Sequence, residues 1–112
     1  MKVPTLSVIC GLKVLDVLPY EQHGGWISFE NGIGLAIYNS SELLGFPVND
    51  IQQLIGKIVT HVDDGDETVT IKFENNVVLR VDMRDEAYIG PEAMLLHVPG
   101  EPYVIWGLSI PS

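Results

Sequence analysis

The chain has 112 residues, with fifteen acidic and six basic side chains and a formal net charge of −9. Its length fits a single domain over residues 1–112, and its charge would repel a phosphate backbone, so we expect no direct binding to DNA or RNA. Because Cys10 is the only cysteine, an intramolecular disulfide and a multi-cysteine zinc site are both excluded.

The start of the chain does not combine the charged, apolar and small-residue regions of a signal peptide. No apolar run approaches the roughly 20 residues that a membrane-spanning helix needs. We therefore expect a cytoplasmic protein that does not associate with membranes. Cys10 lies in the apolar stretch LSVIC, where a small buried side chain is the expected role.

The first half of the chain, about residues 6–45, predicts three antiparallel strands. The second of these strands is WISFE at residues 26–30, and residues 33–37 alternate with apolar side chains at every second position. The turn between them falls at Asn31-Gly32, residues that accept the positive φ angles of a tight turn.

Two short polar-to-glycine segments separate the halves, SSELLG at residues 40–45 and NDIQQLIG at residues 49–56. Their polar starts and terminal glycines predict one or two short helices, with Asn49 or Asp50 as the cap. We expect their leucines and isoleucines to cover an open sheet face.

The second half, about residues 54–98, shows the strand pattern more clearly. A strand at residues 57–63 ends in the turn signal Asp64-Gly65, and TVTIKFE at residues 68–74 alternates strictly. After a turn at Asn75-Asn76, residues 77–83 form a third strand with apolar side chains at alternate positions.

The tripeptide Phe-Glu-Asn occurs twice, in FENGIGLAI at residues 29–37 and in FENNVVLRV at residues 73–81. The order, spacing and turn position of the surrounding segments also match, which indicates an internal repeat. These motifs are therefore interpreted as scaffold. Two further strands are predicted at residues 93–98 and 103–110, after a loop at residues 84–92. The predicted fold is mainly β (α+β), with two duplicated three-stranded antiparallel meanders, C-terminal strands and one or two short helices between the repeats.

The outward positions of the two predicted meanders differ in polarity. In the second they are polar: Thr68, Thr70, Lys72, Arg80 and Asp82. In the first they are more apolar: Trp26, Ser28, Gly34, Ala36 and Tyr38. Either the C-terminal strands or the linker helices cover the apolar face, or it is an exposed protein interface.

Metal and catalytic signals are weak. The histidines, His23, His61 and His97, show no metal-ligand spacing, and DDGDE at residues 63–67 lacks the length and spacing of a calcium loop. No motif places a base beside Cys10 or a serine. We therefore expect no metal, no cofactor and no enzymatic activity.

Residues 54–97 carry a LIGK opening, a sheet meander and a close of GPEA followed by a strand. In this stretch the chain resembles the immunity proteins encoded beside bacterial polymorphic toxins, particularly those of contact-dependent growth inhibition. The resemblance implies a protein that binds and neutralises the C-terminal domain of its cognate toxin, which is commonly a nuclease. It assigns no individual residue.

A nuclease presents a cationic groove to its substrate, so an acidic inhibitor can be steered to that groove and occupy it. Ten of the fifteen acidic residues fall within residues 57–112. The candidate toxin-binding residues are the acids and aromatic side chains Asp63, Asp64, Asp66, Glu67, Asp82, Asp85, Glu86, Tyr88, Trp26 and Tyr38.

Two alternative functions remain open from the sequence. A small-ligand-binding or enzymatic β domain would need a pocket at the junction of the repeats, near His61 and Tyr88. A homo-oligomeric structural domain would pair its open sheet edges, and a homodimer would be the simplest form.

Overall fold

The computed structural model describes residues 5–20, 24–46 and 50–107. Within these ranges the chain is mainly β, with nine strands in two antiparallel sheets. The strands are β1 (Val14–Pro19), β2 (Gly25–Phe29), β3 (Gly34–Ile37), β4 (Ser41–Leu44), β5 (Val59–Asp64), β6 (Thr68–Phe73), β7 (Val77–Asp82), β8 (Glu92–His97) and β9 (Val104–Gly107). The helical elements in the same ranges are 3-10 turns at Leu6–Ile9, Glu30–Gly32, Ile51–Leu54, Glu74–Asn76 and Asp85–Ala87. None of them is long and apolar enough to cross a membrane.

The sheets exchange strands between the two halves of the chain. One sheet has five strands in the order β1-β2-β3-β8-β9, and the other has four in the order β4-β7-β6-β5. The strand that follows β3 crosses to the other sheet, where β4 pairs with β7. The strand that follows β7 crosses in the opposite direction, where β8 pairs with β3. Each sheet therefore contains strands from both halves.

The core lies between the two sheets because their strands bury every second side chain. In β6, Val69, Ile71 and Phe73 are buried, while Thr68 and Lys72 on the other face are exposed. The buried side chains of both sheets form one hydrophobic cluster. Full burial of each large apolar side chain contributes roughly 1.5–3 kcal/mol, so this alternation decides which face of each strand points inwards.

Two hydrogen bonds join the sheets where β1 and β5 begin. Gly11 donates its backbone N–H to the Val59 carbonyl at 2.8 Å, and Gly56 donates to the Val14 carbonyl at 2.8 Å. The φ angles of the two glycines are +84° and +87°. These angles lie in the left-handed region that glycine adopts without a steric penalty.

The predicted turns at Asn31-Gly32 and Asn75-Asn76 are confirmed. Asn31 has a φ of 65° and Asn75 has a φ of 63°. The preceding Glu30 and Glu74 each accept a hydrogen bond through Oε1, at 2.8 and 3.3 Å. The donors are backbone N–H groups just before β1 and β5, so each turn is tied to the first strand of its own sheet.

The helix predicted at residues 40–45 is wrong, because residues 41–44 form β4. Pairing with β7 buries Leu43 against the core, while Glu42 on the opposite face is exposed. Glutamate and leucine both favour helices, but tertiary pairing of a strand overrides that weak preference.

The second predicted helix is also absent, since Ile51–Leu54 is a 3-10 turn of four residues. A segment this short cannot offset the cost of nucleating an α-helix. Asp50 does cap the turn, because its side chain accepts a hydrogen bond from the Gln52 N–H at 3.0 Å. Asn49, the other predicted cap, lies outside the described residues.

Cys10 is exposed, so its predicted burial is wrong. It follows the 3-10 turn at residues 6–9, in which Leu6 and Ile9 occupy the buried positions. Both predicted C-terminal strands are present as β8 and β9. They extend the five-stranded sheet at its edge, so these strands do not cover its apolar outer face.

Candidate protein-binding site

The predicted acidic turn connects β5 to β6 at one end of the four-stranded sheet. Asp63 and Asp64 close β5, Asp66 and Glu67 lie in the turn, and all four residues are exposed. The turn is closed by a hydrogen bond of 3.2 Å from the Gly65 N–H to the Thr68 carbonyl. A hairpin this short keeps the four carboxylates close together.

Asp64 connects this turn to the other sheet. Its partner in the β5–β6 register is Val69, which is buried, so the Asp64 side chain lies on the inner face of the sheet. Its two carboxylate oxygens are 3.2 and 3.4 Å from the indole Nε1 of Trp106 in β9, which donates to them. The contact spans the open end between the two sheets.

Sequence reasoning did not identify Trp106. The available signal was the alternation in β9, where Val104 and Trp106 face the core and Ile105 faces outwards. That alternation could have placed the indole on the inner face. It could not have revealed Asp64 as its partner, because the two residues are 42 positions apart.

A cleft of about 300 Å³ opens beside this contact. We call it the acidic cleft. It contains three carboxylates, two aromatic rings and one thioether, from Asp64, Asp66, Asp85, Tyr88, Trp106 and Met83. The structure therefore brings together four of the predicted site residues, Asp64, Asp66, Asp85 and Tyr88.

Tyr88 forms one aromatic wall of the cleft. It is half-buried against the hydrophobic core and follows a 3-10 turn whose Asp85 carbonyl accepts its N–H at 3.2 Å. Burial raises the pKa of the Tyr88 phenol, and the nearby charge of Asp85 raises it further. The phenol is therefore neutral at physiological pH and can donate or accept a hydrogen bond.

Asp82 and Glu86 lie beside the cleft but are paired with Arg84. Arg84 binds Asp82 through two hydrogen bonds, Nε to Oδ1 at 3.0 Å and Nη2 to Oδ2 at 2.7 Å. Its Nη1 lies 3.6 Å from the Glu86 carboxylate. The hydrogen bonds from Arg84 lower the pKa of Asp82. Their negative charges are thus partly compensated within the chain.

The carboxylates inside the cleft have no such compensation. Both ion pairs among the described residues use Arg84, and neither includes Asp64, Asp66 or Asp85. A lysine or arginine side chain from a partner could pair with these carboxylates while its alkyl stem contacts the rings of Tyr88 and Trp106. The cleft is therefore chemically suited to a cationic side chain.

Trp26 and Tyr38 lie on a different surface, the outer face and border of the five-stranded sheet. Trp26 donates its indole N–H to Ser28 Oγ at 3.0 Å, and its ring covers Gly34. The Tyr38 ring stacks on Tyr20, with 5.9 Å between centroids. The structure does not bring these two aromatic residues to the acidic cleft.

The histidines do not converge in the described part of the chain. His61 lies on the outer face of the four-stranded sheet, opposite Lys72, and His97 packs against Tyr103 with 5.3 Å between ring centroids. His23 lies outside the described residues. In residues 5–20, 24–46 and 50–107, no group of three or more His, Cys, Asp or Glu side chains is arranged to hold a metal ion. His61 and Tyr88 line separate depressions, so they do not form the shared pocket that the small-ligand alternative requires.

No protein-family model, curated protein sequence or solved structure matches this chain. The acidic cleft and the two sheet faces are therefore the basis on which a function can be assigned.

Proposed function

We propose that this chain is a cytoplasmic immunity protein that binds and neutralises the C-terminal toxin domain of a contact-dependent growth inhibition system. In this role it binds a protein and has no enzymatic activity of its own. The observation that carries the proposal is the acidic cleft, where three unpaired carboxylates adjoin two half-buried aromatic rings. The expected partner is a nuclease domain, whose groove must be basic to hold nucleic acid.

Charge and aromatic contact would play different parts in this complex. The net charge of −9 and the exposed acidic turn would speed the encounter with a basic domain. The cleft would then receive one cationic side chain, with Tyr88 and Trp106 supplying contact area that excludes water. Asp64 can still accept hydrogen bonds from that side chain, because a carboxylate offers about four lone-pair positions and Trp106 supplies one N–H.

We also infer that residues 11–38 and 56–83 are duplicated three-stranded meanders. Three matched features support this: the positive-φ asparagines, the glutamates that follow the Phe residues, and an irregularity at the start of β1 and of β5. On this interpretation the two units have diverged on their outer faces. One has become polar and the other apolar, so they would serve different contacts.

The proposed function is tested by the rates of binding to the toxin domain encoded by the gene immediately upstream. A triple variant, Asp64→Asn with Asp66→Asn and Asp85→Asn, removes three charges from the cleft and keeps the side-chain shapes. Stopped-flow association should become slower and less dependent on salt, because exposed charges mainly steer the encounter. Trp106→Leu should instead raise the dissociation rate.

A matched control removes the same charge elsewhere, through Asp16→Asn, Glu42→Gln and Glu101→Gln, which are all exposed residues. It should slow association less than the cleft variant does. Equal effects of the two triple variants would show that net charge alone steers binding and would remove the cleft from the mechanism. An upstream domain that does not bind the wild-type chain would contradict the proposed function itself.

A further inference from the structure

The outer face of the five-stranded sheet carries an unbroken row of apolar side chains. One residue from each strand stands in register with the next: Leu18, Trp26, Ala36, Leu95 and Ile105. We call this set the apolar row. Its two ends are well exposed, since Leu18 is 64% and Ile105 is 50% accessible to solvent. The row therefore presents apolar surface across the full width of the sheet.

The corresponding face of the four-stranded sheet has the opposite chemistry. Its middle row contains two acids, one base and one hydroxyl, from Asp63, Thr70, Arg80 and Glu42. A sheet face that remains in water is expected to be polar in this way. The apolar row departs from that expectation, so solvent exposure alone does not explain its composition.

Trp26 is already prepared for burial at an interface. Its indole N–H is bonded to Ser28 Oγ at 3.0 Å, and the ring lies across Gly34, which has no side chain to displace it. Covering the outer side of the ring would therefore leave no donor without a partner, which is the main cost of burying a polar group. The other four side chains of the row have no polar atoms.

We propose that this face is the interface of a homodimer, in which two copies stack their five-stranded sheets through the apolar row. The distribution of charge points to a second copy as the occupant. The row contains no carboxylate for a cationic partner to meet, and it is complementary to another uncharged apolar face. The acidic cleft and the charged middle row belong instead to the end and far side of the molecule.

Stacking in this orientation also keeps the acidic surfaces apart. Packed sheets lie about 10 Å from one another, so the two four-stranded sheets of such a dimer would be separated by roughly 30 Å. That distance is more than three screening lengths of about 8 Å at physiological salt. Repulsion between two chains of charge −9 would consequently be weak across this interface.

The row also allows a self-complementary contact. Ala36 is its midpoint, on the central strand β3. A twofold axis along the strands at Ala36 would set Leu18 against Ile105 of the second copy, and Trp26 against Leu95 of the second copy. Four strand spacings give the row a width of roughly 19 Å. A contact of this size is at the lower limit of specific interfaces, about 1,200 Å² in total, which fits a dimer that dissociates in the micromolar range.

Sedimentation equilibrium of the full chain, from about 1 to 500 μM, tests this proposal. Leu18→Lys and Ile105→Lys each place a charge in the row while lowering the net negative charge, so weaker association cannot result from greater overall repulsion. Each should raise the dissociation constant at least about tenfold. The matched control is Ile89→Lys, which changes an equally exposed isoleucine outside the row and should leave the constant unchanged.

Salt provides a second readout. Raising the ionic strength should leave the dimer intact, whereas it should weaken binding to a basic toxin domain. Circular dichroism establishes that each variant is folded, and the two row positions are tested separately because they lie on different edge strands. A wild-type chain that is monomeric throughout the concentration range would overturn the proposal. So would a folded pair of row variants that dimerise as well as wild type, or an Ile89→Lys effect as large as theirs.

Discussion

The packing of Trp26 on Gly34 makes a prediction whose sign changes with the background. A methyl group at Gly34 would overlap the six-membered ring of Trp26, so Gly34→Ala must push the indole off the sheet. This displacement also breaks the 3.0 Å hydrogen bond from the indole to Ser28. Overpacking of this kind costs about 1–3 kcal/mol of the free energy of unfolding.

In a Trp26→Ala background the same Gly34→Ala substitution meets no ring. Glycine inside a strand is about 0.5–1 kcal/mol less favourable than alanine, so there the substitution should raise stability. Urea unfolding followed by far-ultraviolet circular dichroism measures all four chains, since tryptophan fluorescence changes when Trp26 is removed. The double-mutant cycle should give a coupling energy of roughly 1.5–4 kcal/mol. An equal loss of stability in both backgrounds would refute the described packing.

Three further predictions concern other positions. Asn39→Ala should lower the free energy of unfolding in urea by about 1–3 kcal/mol, because the buried Asn39 side chain donates to the Asp82 carbonyl at 2.8 Å and that acceptor would lose its partner. Asn75→Ala should cost about 1–2 kcal/mol in thermal unfolding, whereas Asn75→Gly should cost less, because its φ of 63° disfavours a Cβ. Burial, and then the neighbouring Tyr38, raises the pKa of Tyr20, so the unfolded state ionises first and stability should fall as the pH rises above about 10. Tyr20→Phe should reduce that fall in urea titrations at alkaline pH.

The local parts of the fold could be predicted from the sequence. The alternation in β6 located its buried face, and the residue types at Asp64-Gly65 and Asn75-Asn76 located the turns. These signals depend on neighbouring residues, so they survive without knowledge of the tertiary structure. The acidic turn was found for the same reason.

The parts that depend on distant contacts could not be predicted. Residues 41–44 look helical by composition and become β4 only because β7 offers a pairing edge. The exchange of β4 and β8 between the sheets has no local signal at all. Trp106 was missed because its partner Asp64 lies 42 positions earlier, and a cleft formed by such residues has no motif.

The most direct test of the proposed function is growth of bacteria that express the upstream toxin domain. Co-expression of the wild-type chain should restore normal growth, and the triple cleft variant should restore it less well than the matched charge control at equal protein levels. If the upstream domain arrests growth and the folded wild-type chain does not relieve the arrest, the chain is not its immunity protein.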